Sequence, residues 1–159
     1  MAGGVGRCVM RWWRGKGHGV HSPFAYRFIR SVLRERGSYY ASTELSRMAD
    51  PKWCGLLFRL VCEFEPVSVV SPSFTGEERR TIALADSRVA FGIGGREGCL
   101  SLECGSMTVT VVRDVCASGP LWEEMKGEMR HGMAFTDGRR GVLVPRPDLP
   151  RQDFETAFA

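Results

Sequence analysis

The stretch VSVVSPSFTGEERRTIALADSRVAFGI, residues 67–93, decides the fold of this chain. Residues 67–70 form a short β-branched run typical of a buried strand, Gly76–Ala85 has a helical composition, and residues 88–93 have the composition of a second strand. A strand, a helix and a strand in this order predict two parallel strands joined by a right-handed crossover. The sequence therefore predicts an α/β protein.

Helices are predicted before this unit. Ser22 and Pro23 are a strong helix start, because a serine side chain accepts a free backbone N–H and proline at the first helical position gives up no hydrogen bond. Apolar residues at three- and four-residue spacing extend this helix over 23–36. A short helix is predicted over 43–48 and a longer amphipathic one over 53–64.

Strands return after the unit. Residues 100–102 and 107–112 are predicted strands, since the second alternates Val with Thr as a half-exposed strand does. A helix is predicted over 121–130. Residues 133–144 place two apolar runs around Asp137-Gly138, a strong hairpin signal, and predict an antiparallel edge to the sheet.

Length and composition favour one domain. A chain of 159 residues with 43% hydrophobic content is long enough for a single core. We divide the domain 1–159 into a basic arm at 1–16, N-terminal helices at 17–65 and an α/β sheet portion at 66–159. No apolar run approaches the roughly 18 to 20 residues that cross a bilayer, and no secretory signal is evident, so a cytoplasmic location is expected.

The cysteines are expected to be reduced and free of metal. Their even number comes with no repeated spacing of the kind found in disulfide frameworks. Cys99 and Cys104, with His18 and His21, lack the CxxC and HxxxH spacings of zinc sites, so no metal site is expected. The six cysteines are Cys8, Cys54, Cys62, Cys99, Cys104 and Cys116.

Positive charge is concentrated at the N-terminus. The net charge of the chain is +4, yet residues 1–36 hold eight Arg and Lys against the single acid Glu35. A dense positive field attracts polyanions, and aromatic rings such as those of Trp12 and Trp13 stack on bases. An anionic partner is therefore one interpretation of the cluster, and a solvated basic arm is the other. The clustered cations are Arg7, Arg11, Arg14 and Lys16.

The two ends of the chain resemble one family. The block Gly17-His18-Gly19-Val20-His21-Ser22-Pro23-Phe24, a following helix and the pair Tyr39-Tyr40 are similar to the N-terminus of the short Bacteroidetes-type class I S-adenosylmethionine (SAM) dependent methyltransferases. The C-terminal part matches too, with a helix bearing Trp122 and Met125, a strand reaching Asp137, a strand over 141–144 and a closing Arg-Gln-x-Phe at 151–154.

The resemblance implies a fold and a cofactor. The expected architecture is a reduced Rossmann-like methyltransferase sheet with N-terminal helices and a C-terminal antiparallel hairpin. The implied cofactor is SAM, and the implied reaction is direct displacement at its methyl group by an acceptor that the sequence does not name. The chain is short for the family, and the missing part lies in the middle.

The cofactor site is expected after the first strand. Such enzymes carry an acidic residue and a glycine-rich turn there, because the backbone passes close to the methionine part of SAM. Here Ser71 falls near the expected acid and Pro72 near the first glycine, so the site is expected to be degenerate. By resemblance, the cofactor-binding residues are Ser71, Ser73, Thr75, Gly76 and Glu77, and no catalytic residue is identified.

The second strand departs from the family as well. Its usual terminal carboxylate would hold the ribose hydroxyls, but the sequence reads FGIGG over 91–95 and has no acid before Glu97. We interpret the glycines as a turn, because a strand rather than a helix follows them.

Three functions stay open at this point. The chain is either a methyltransferase homologue of unknown acceptor or a non-catalytic scaffold derived from one, and the replaced loop favours the second. A basic nucleic-acid-binding protein, binding through its N-terminal arm with strong salt dependence, is the third.

Overall fold

Residues 22–37 and 40–159 are described by a computed structural model. The predicted basic arm at 1–16, residues 17–21 of the N-terminal motif and Tyr39 lie outside the described residues. The helices are α1 (Pro23–Phe28), α2 (Ser42–Leu45), α3 (Pro51–Phe64), α4 (Gly76–Ala85) and α5 (Gly119–Glu128). The strands are β1 (Ser68–Ser71), β2 (Ala90–Ile93), β3 (Cys99–Cys104), β4 (Met107–Val112), β5 (Gly132–Thr136), β6 (Gly141–Pro145) and β7 (Gln152–Glu155).

The strands form one seven-stranded mixed sheet in the order β2-β1-β3-β4-β6-β5-β7. β1 and β2 are parallel, which confirms the prediction from residues 67–93. β5 and β7 are also parallel, and the other neighbouring strands are antiparallel. All strands except β3 and β6 therefore run in one direction. The protein is α/β, as predicted.

The C-terminal hairpin is confirmed, but its expected place at the sheet edge was wrong. β5 and β6 pair antiparallel from Gly132↔Pro145 to Thr136↔Gly141. β7 then pairs parallel with β5 and covers it. The sequence of β7, QDFE, is short and mostly polar, so it lacks the alternation by which a strand is recognised.

The first helix differs from its prediction. It is α-helical only to Phe28 and continues as a π-helical turn, Ile29–Leu33, rather than as an α-helix to residue 36. Arg59 of α3 donates a hydrogen bond to the Val32 carbonyl at 2.5 Å, so a carbonyl near the end of the turn is satisfied from outside the helix. The apolar positions on which the α-helix was predicted are also buried in the observed segment, so their spacing did not reveal the π-helical turn.

One face of the sheet carries the main core. Val69, Leu100, Leu102, Val109 and Val111 alternate along β1, β3 and β4 and pack in one cluster with α1, α3 and Ile82 of α4. Ser22 caps the start of α1, and Asp50 caps the start of α3.

The opposite face is covered unevenly. α5 packs on it through Trp122 and Met125, against a cluster that includes Cys99, Val112 and Leu143. Elsewhere the half-buried residues that alternate with the core are mostly polar, as on the solvated face of an antiparallel sheet, with Val70 of β1 as an apolar exception. We call this surface the polar face; it comprises Ser68, Ser101, Glu103, Thr108 and Thr110.

Candidate functional site

The carboxyl ends of the parallel-running strands meet at one edge of the sheet. The chain crosses from β1 to β2 on one side and places β3 on the other side. In open α/β sheets this reversal leaves a crevice at the carboxyl end of the first strand, where ligands bind. Here that position is occupied by a hydrogen-bonded group of side chains, and we refer to it as the β1 crevice; it comprises Ser71, Ser73, Glu78 and Arg113.

Ser71 ends β1 and is fully buried. Its hydroxyl lies 2.8 Å from the Ser73 carbonyl and 2.9 Å from the Cys99 carbonyl, and it accepts from Arg113 Nη2 at 3.3 Å. The hydroxyl that stands near the family's acid therefore has its hydrogen bonds inside the protein. It leaves no carboxylate for a ligand.

Arg113, directly after β4, extends into the β1 crevice. Its Nε donates to Glu78 Oε1 at 2.6 Å, and its Nη2 donates to Glu78 Oε2 at 2.9 Å. The same Nη2 donates to the Ser73 carbonyl at 2.7 Å. A bidentate pair of this kind has fixed geometry and is among the stronger hydrogen-bonded contacts in proteins. The guanidinium therefore connects the ends of β4 and β1 with α4.

Glu78 is held from several sides while its side chain is only 1% exposed. It forms a capping box with Thr75, whose N–H donates to Oε2 at 2.9 Å, and Trp53 Nε1 donates to Oε1 at 3.0 Å. Burial raises the pKa of Glu78, but the hydrogen bonds from Arg113, the Thr75 N–H and Trp53 together lower it by more. The carboxylate is therefore ionised at neutral pH.

A second arginine pair lies at the same edge of the sheet. Arg140, 5% exposed, donates through Nη2 to Asp50 Oδ2 at 2.6 Å. Asp50 also caps α3 by accepting from the Trp53 N–H at 3.0 Å. Burial raises the pKa of Asp50, and the bonds from Trp53 and Arg140 outweigh it and lower the pKa overall. Both pairs thus tie the helices to the ends of strands.

The five residues predicted to bind the cofactor fall in two places. Ser71 and Ser73 border the β1 crevice, where they contact Arg113. Thr75, Gly76 and Glu77 line a separate cavity of about 690 Å³ together with Glu44, Arg47, Met48 and Arg80. Glu77 accepts from the Ala49 N–H at 2.8 Å, and Arg80 pairs with Glu44 at 2.8 Å. The structure therefore does not unite them in one site.

The space around Gly76 is open. A Cβ atom built on it would meet nothing within 4 Å. The family's glycines permit a close approach of backbone to cofactor, and this glycine has no such contact within the protein. At the end of β2, Gly94 and Gly95 have φ values of +153° and +86°, and the chain then turns into β3. The interpretation of this glycine run as a turn is confirmed.

Sequence reasoning missed the residues at the centre of this edge. Thr75 was recognised as a cap and the acids after it as first-turn residues, and the T-x-x-E spacing is the available signal for Glu78. Nothing local points to Arg113 or Trp53, which lie 35 and 25 residues from Glu78 along the chain. Only the order of the strands brings them together.

Comparisons of the chain with known protein families, with curated proteins and with solved structures find no match. Within residues 22–37 and 40–159, no group of three or more His, Cys, Asp or Glu side chains is arranged to hold a metal ion. In the same part of the chain, no helix combines the length and apolarity that a membrane crossing requires. The five described cysteines are free thiols.

Proposed function

We propose that this protein is a non-catalytic relative of the class I SAM-dependent methyltransferases, which keeps the α/β scaffold, no longer binds SAM, and acts by binding a partner. The single observation that carries this is the Arg113–Glu78 pair in the β1 crevice. A cytoplasmic location belongs to the same proposal.

The energetics of the pair argue against a ligand in the crevice. A cofactor would have to displace the Arg113 side chain and leave Glu78 as a buried, unpaired carboxylate. Breaking such a pair costs about 3–5 kcal/mol. That cost corresponds to about two to four orders of magnitude in affinity. Ser71, at the end of β1, adds no carboxylate that could offset this cost.

The polar face supports the proposal of a stable scaffold that is shorter than the methyltransferase pattern. A doubly wound sheet needs helices on both faces, and its strands are then apolar on both sides. Here β3 and β4 place Ser101, Thr108 and Thr110 where a covering helix layer would require apolar residues. This pattern fits a fold that has adapted to its short middle, rather than a decayed sequence.

Isothermal titration with SAM and S-adenosylhomocysteine tests the proposal. We expect no saturable heat from a protein that melts cooperatively. Saturable binding in the micromolar range would overturn the proposal. The Gly76→Trp variant would then show whether the ligand lies in the cavity beside α4, and Ala83→Trp, at an exposed position of the same helix, is its matched control.

A methyltransferase of unknown acceptor is the second candidate, favoured by that cavity. It lies at the N-terminus of α4, a position that suits anionic or hydrogen-bonding ligand groups. Glu77 and Glu44 add carboxylates that suit ribose hydroxyls or an ammonium group. Its volume of about 690 Å³ is within the range of small-molecule sites. This candidate predicts the saturable binding that the first one excludes.

Binding of an anionic partner by the N-terminal basic arm stays a prediction, because the arm lies outside the described residues. Affinity for a nucleic acid that falls steeply with salt, and that is lost when Arg7, Arg11, Arg14 and Lys16 are neutralised, would support it.

A further inference from the structure

The strand β2 ends the sheet and presents unpaired backbone. Its only neighbour among the described strands is β1. Ala90 N–H donates to the Val67 carbonyl at 3.0 Å and Gly94 N–H to the Ser71 carbonyl at 3.1 Å. Because successive residues of a strand direct their backbone groups to opposite sides, the N–H and C=O groups of Phe91 and Ile93 point away from β1.

This edge lacks the usual protection. Natural edge strands are shielded by charged side chains, proline or bulges that prevent pairing with another strand. Residues 89–95 read VAFGIGG and contain neither a charge nor a proline. Ile93 is 72% exposed and Phe91 is 36% exposed. The strand is therefore apolar, accessible and free to accept another strand.

The edge is complementary to itself. The outward-pointing residues, Phe91 and Ile93, are placed symmetrically about Gly92. A second copy running antiparallel, with a two-fold axis at Gly92, would pair Phe91 of one chain with Ile93 of the other, twice. Each such pair exchanges two backbone bonds, so the contact would contain about four hydrogen bonds. Closed two-fold pairing of one surface with itself is the commonest form of oligomer.

Side chains favour the same pairing. Phe91 lies on the helix-covered face, where its ring meets Phe74 edge-to-face at 5.4 Å and Arg79 at 5.0 Å. Ile93 shares that face, since it is two residues further along the strand. Pairing would place Phe91 beside Ile93 of the second copy. A contact between an aromatic and a β-branched side chain stabilises a cross-strand pair.

The two arginines that flank the strand are paired within the chain. Arg88 forms two bonds to Asp86, at 3.0 and 2.9 Å. Arg96 contacts Glu128 at 2.9 Å and Glu124 at 3.4 Å. Each of these two flanking arginines thus already has a carboxylate partner.

We propose that β2 is the interface of a two-fold homodimer, in which antiparallel β2 strands join two seven-stranded sheets into one. Such a dimer does not depend on whether the β1 crevice binds a ligand. Because a strand of four residues provides a small contact, the expected affinity is weak, with a dissociation constant in the micromolar range.

Sedimentation equilibrium over roughly a hundredfold range of micromolar concentrations tests the dimer. We expect the mass of the wild type to rise from monomer toward dimer. Ile93→Lys adds a charge to the paired region, and Ile93→Pro removes an outward N–H while leaving the bonds to β1. Both variants should weaken association at least about tenfold with unchanged thermal melting.

Val67→Lys is the matched control, because Val67 is 70% exposed and β-branched but its backbone bonds are made within the sheet. It should associate like the wild type. A wild type that stays monomeric throughout the range contradicts the proposal, as do Ile93 variants that associate normally. Hydrogen exchange adds a second readout: the Phe91 and Ile93 amides should slow as concentration rises, and slow exchange in the monomer would show that the chain itself covers this edge.

Discussion

At the scale of single residues, the β1 crevice is defined by a charge pair that no local pattern predicts. Thr75 and the acids after it could be interpreted from sequence, because a capping box is a contact within one turn. Arg113 could not, since its partner Glu78 lies on another element. Of the predicted cofactor residues, Ser71 ends β1, and its hydroxyl makes its hydrogen bonds within the protein.

Replacing Arg113 should be costly. Arg113→Met should lower the free energy of unfolding by about 3–5 kcal/mol, because Glu78 would stay buried without its partner. Adding Glu78→Gln should cost less than the sum of the two single changes, since the unpaired charge is then gone. Urea denaturation of both single variants and the double variant measures this coupling. Arg88→Met, which removes an arginine whose side chain is 87% exposed, should be indistinguishable from the wild type. Additive effects of the Arg113 and Glu78 substitutions would count against a coupled pair.

Stability should fall in acid because of Glu78 and Asp50. Both have a pKa below the usual value in the folded state. The unfolded chain therefore binds more protons below about pH 4–5, so stability is full above that range and is lost as the pH falls through the folded-state values. Denaturation midpoints at a series of acidic pH values should show a flatter profile for Glu78→Gln. Glu97→Gln, at an exposed site, should keep the wild-type dependence of stability on pH. The same dependence in Glu78→Gln would exclude a role of Glu78 in acid denaturation.

At the scale of elements, the sequence predicted those whose patterns are long or have clear ends. The strand–helix–strand unit, α3 and the β5–β6 hairpin follow from β-branched runs, apolar spacing and turn residues. It failed at β7, whose few polar residues become a strand only because β5 offers a free edge. It also failed at the π-helical turn after α1, where Arg59 of another helix donates to the Val32 carbonyl.

Two glycines should respond to alanine with opposite signs. Gly132 begins β5 with φ of +119°, and a Cβ there would lie 2.3 Å from the Val144 carbonyl oxygen. Gly132→Ala should therefore destabilise the hairpin strongly, by several kcal/mol. Gly127 lies in α5 with nothing within 4 Å of a Cβ, and Gly127→Ala should stabilise by up to about 1 kcal/mol. Chemical denaturation measures both, and equal effects at the two sites would mean that the hairpin backbone is not as described.

At the scale of the whole molecule, the fold is a sheet with one full helical layer and one partial layer. The α/β class was predictable from the order of elements. The polar face was visible as the Val and Thr alternation of residues 107–112, but its meaning requires the strand order, which places β4 in the middle of the sheet. On our proposal, a sheet built in this way stands without the middle part of the methyltransferase pattern.

The most direct test of the closed crevice follows the indole N–H of Trp53, which donates to Glu78 beside Arg113. Its resonance in ¹H–¹⁵N spectra should be protected from solvent exchange and unchanged on titration with S-adenosylhomocysteine, whereas Arg113→Met should shift it. A saturable shift of this resonance in the wild-type protein would show a ligand entering the crevice and would contradict the account.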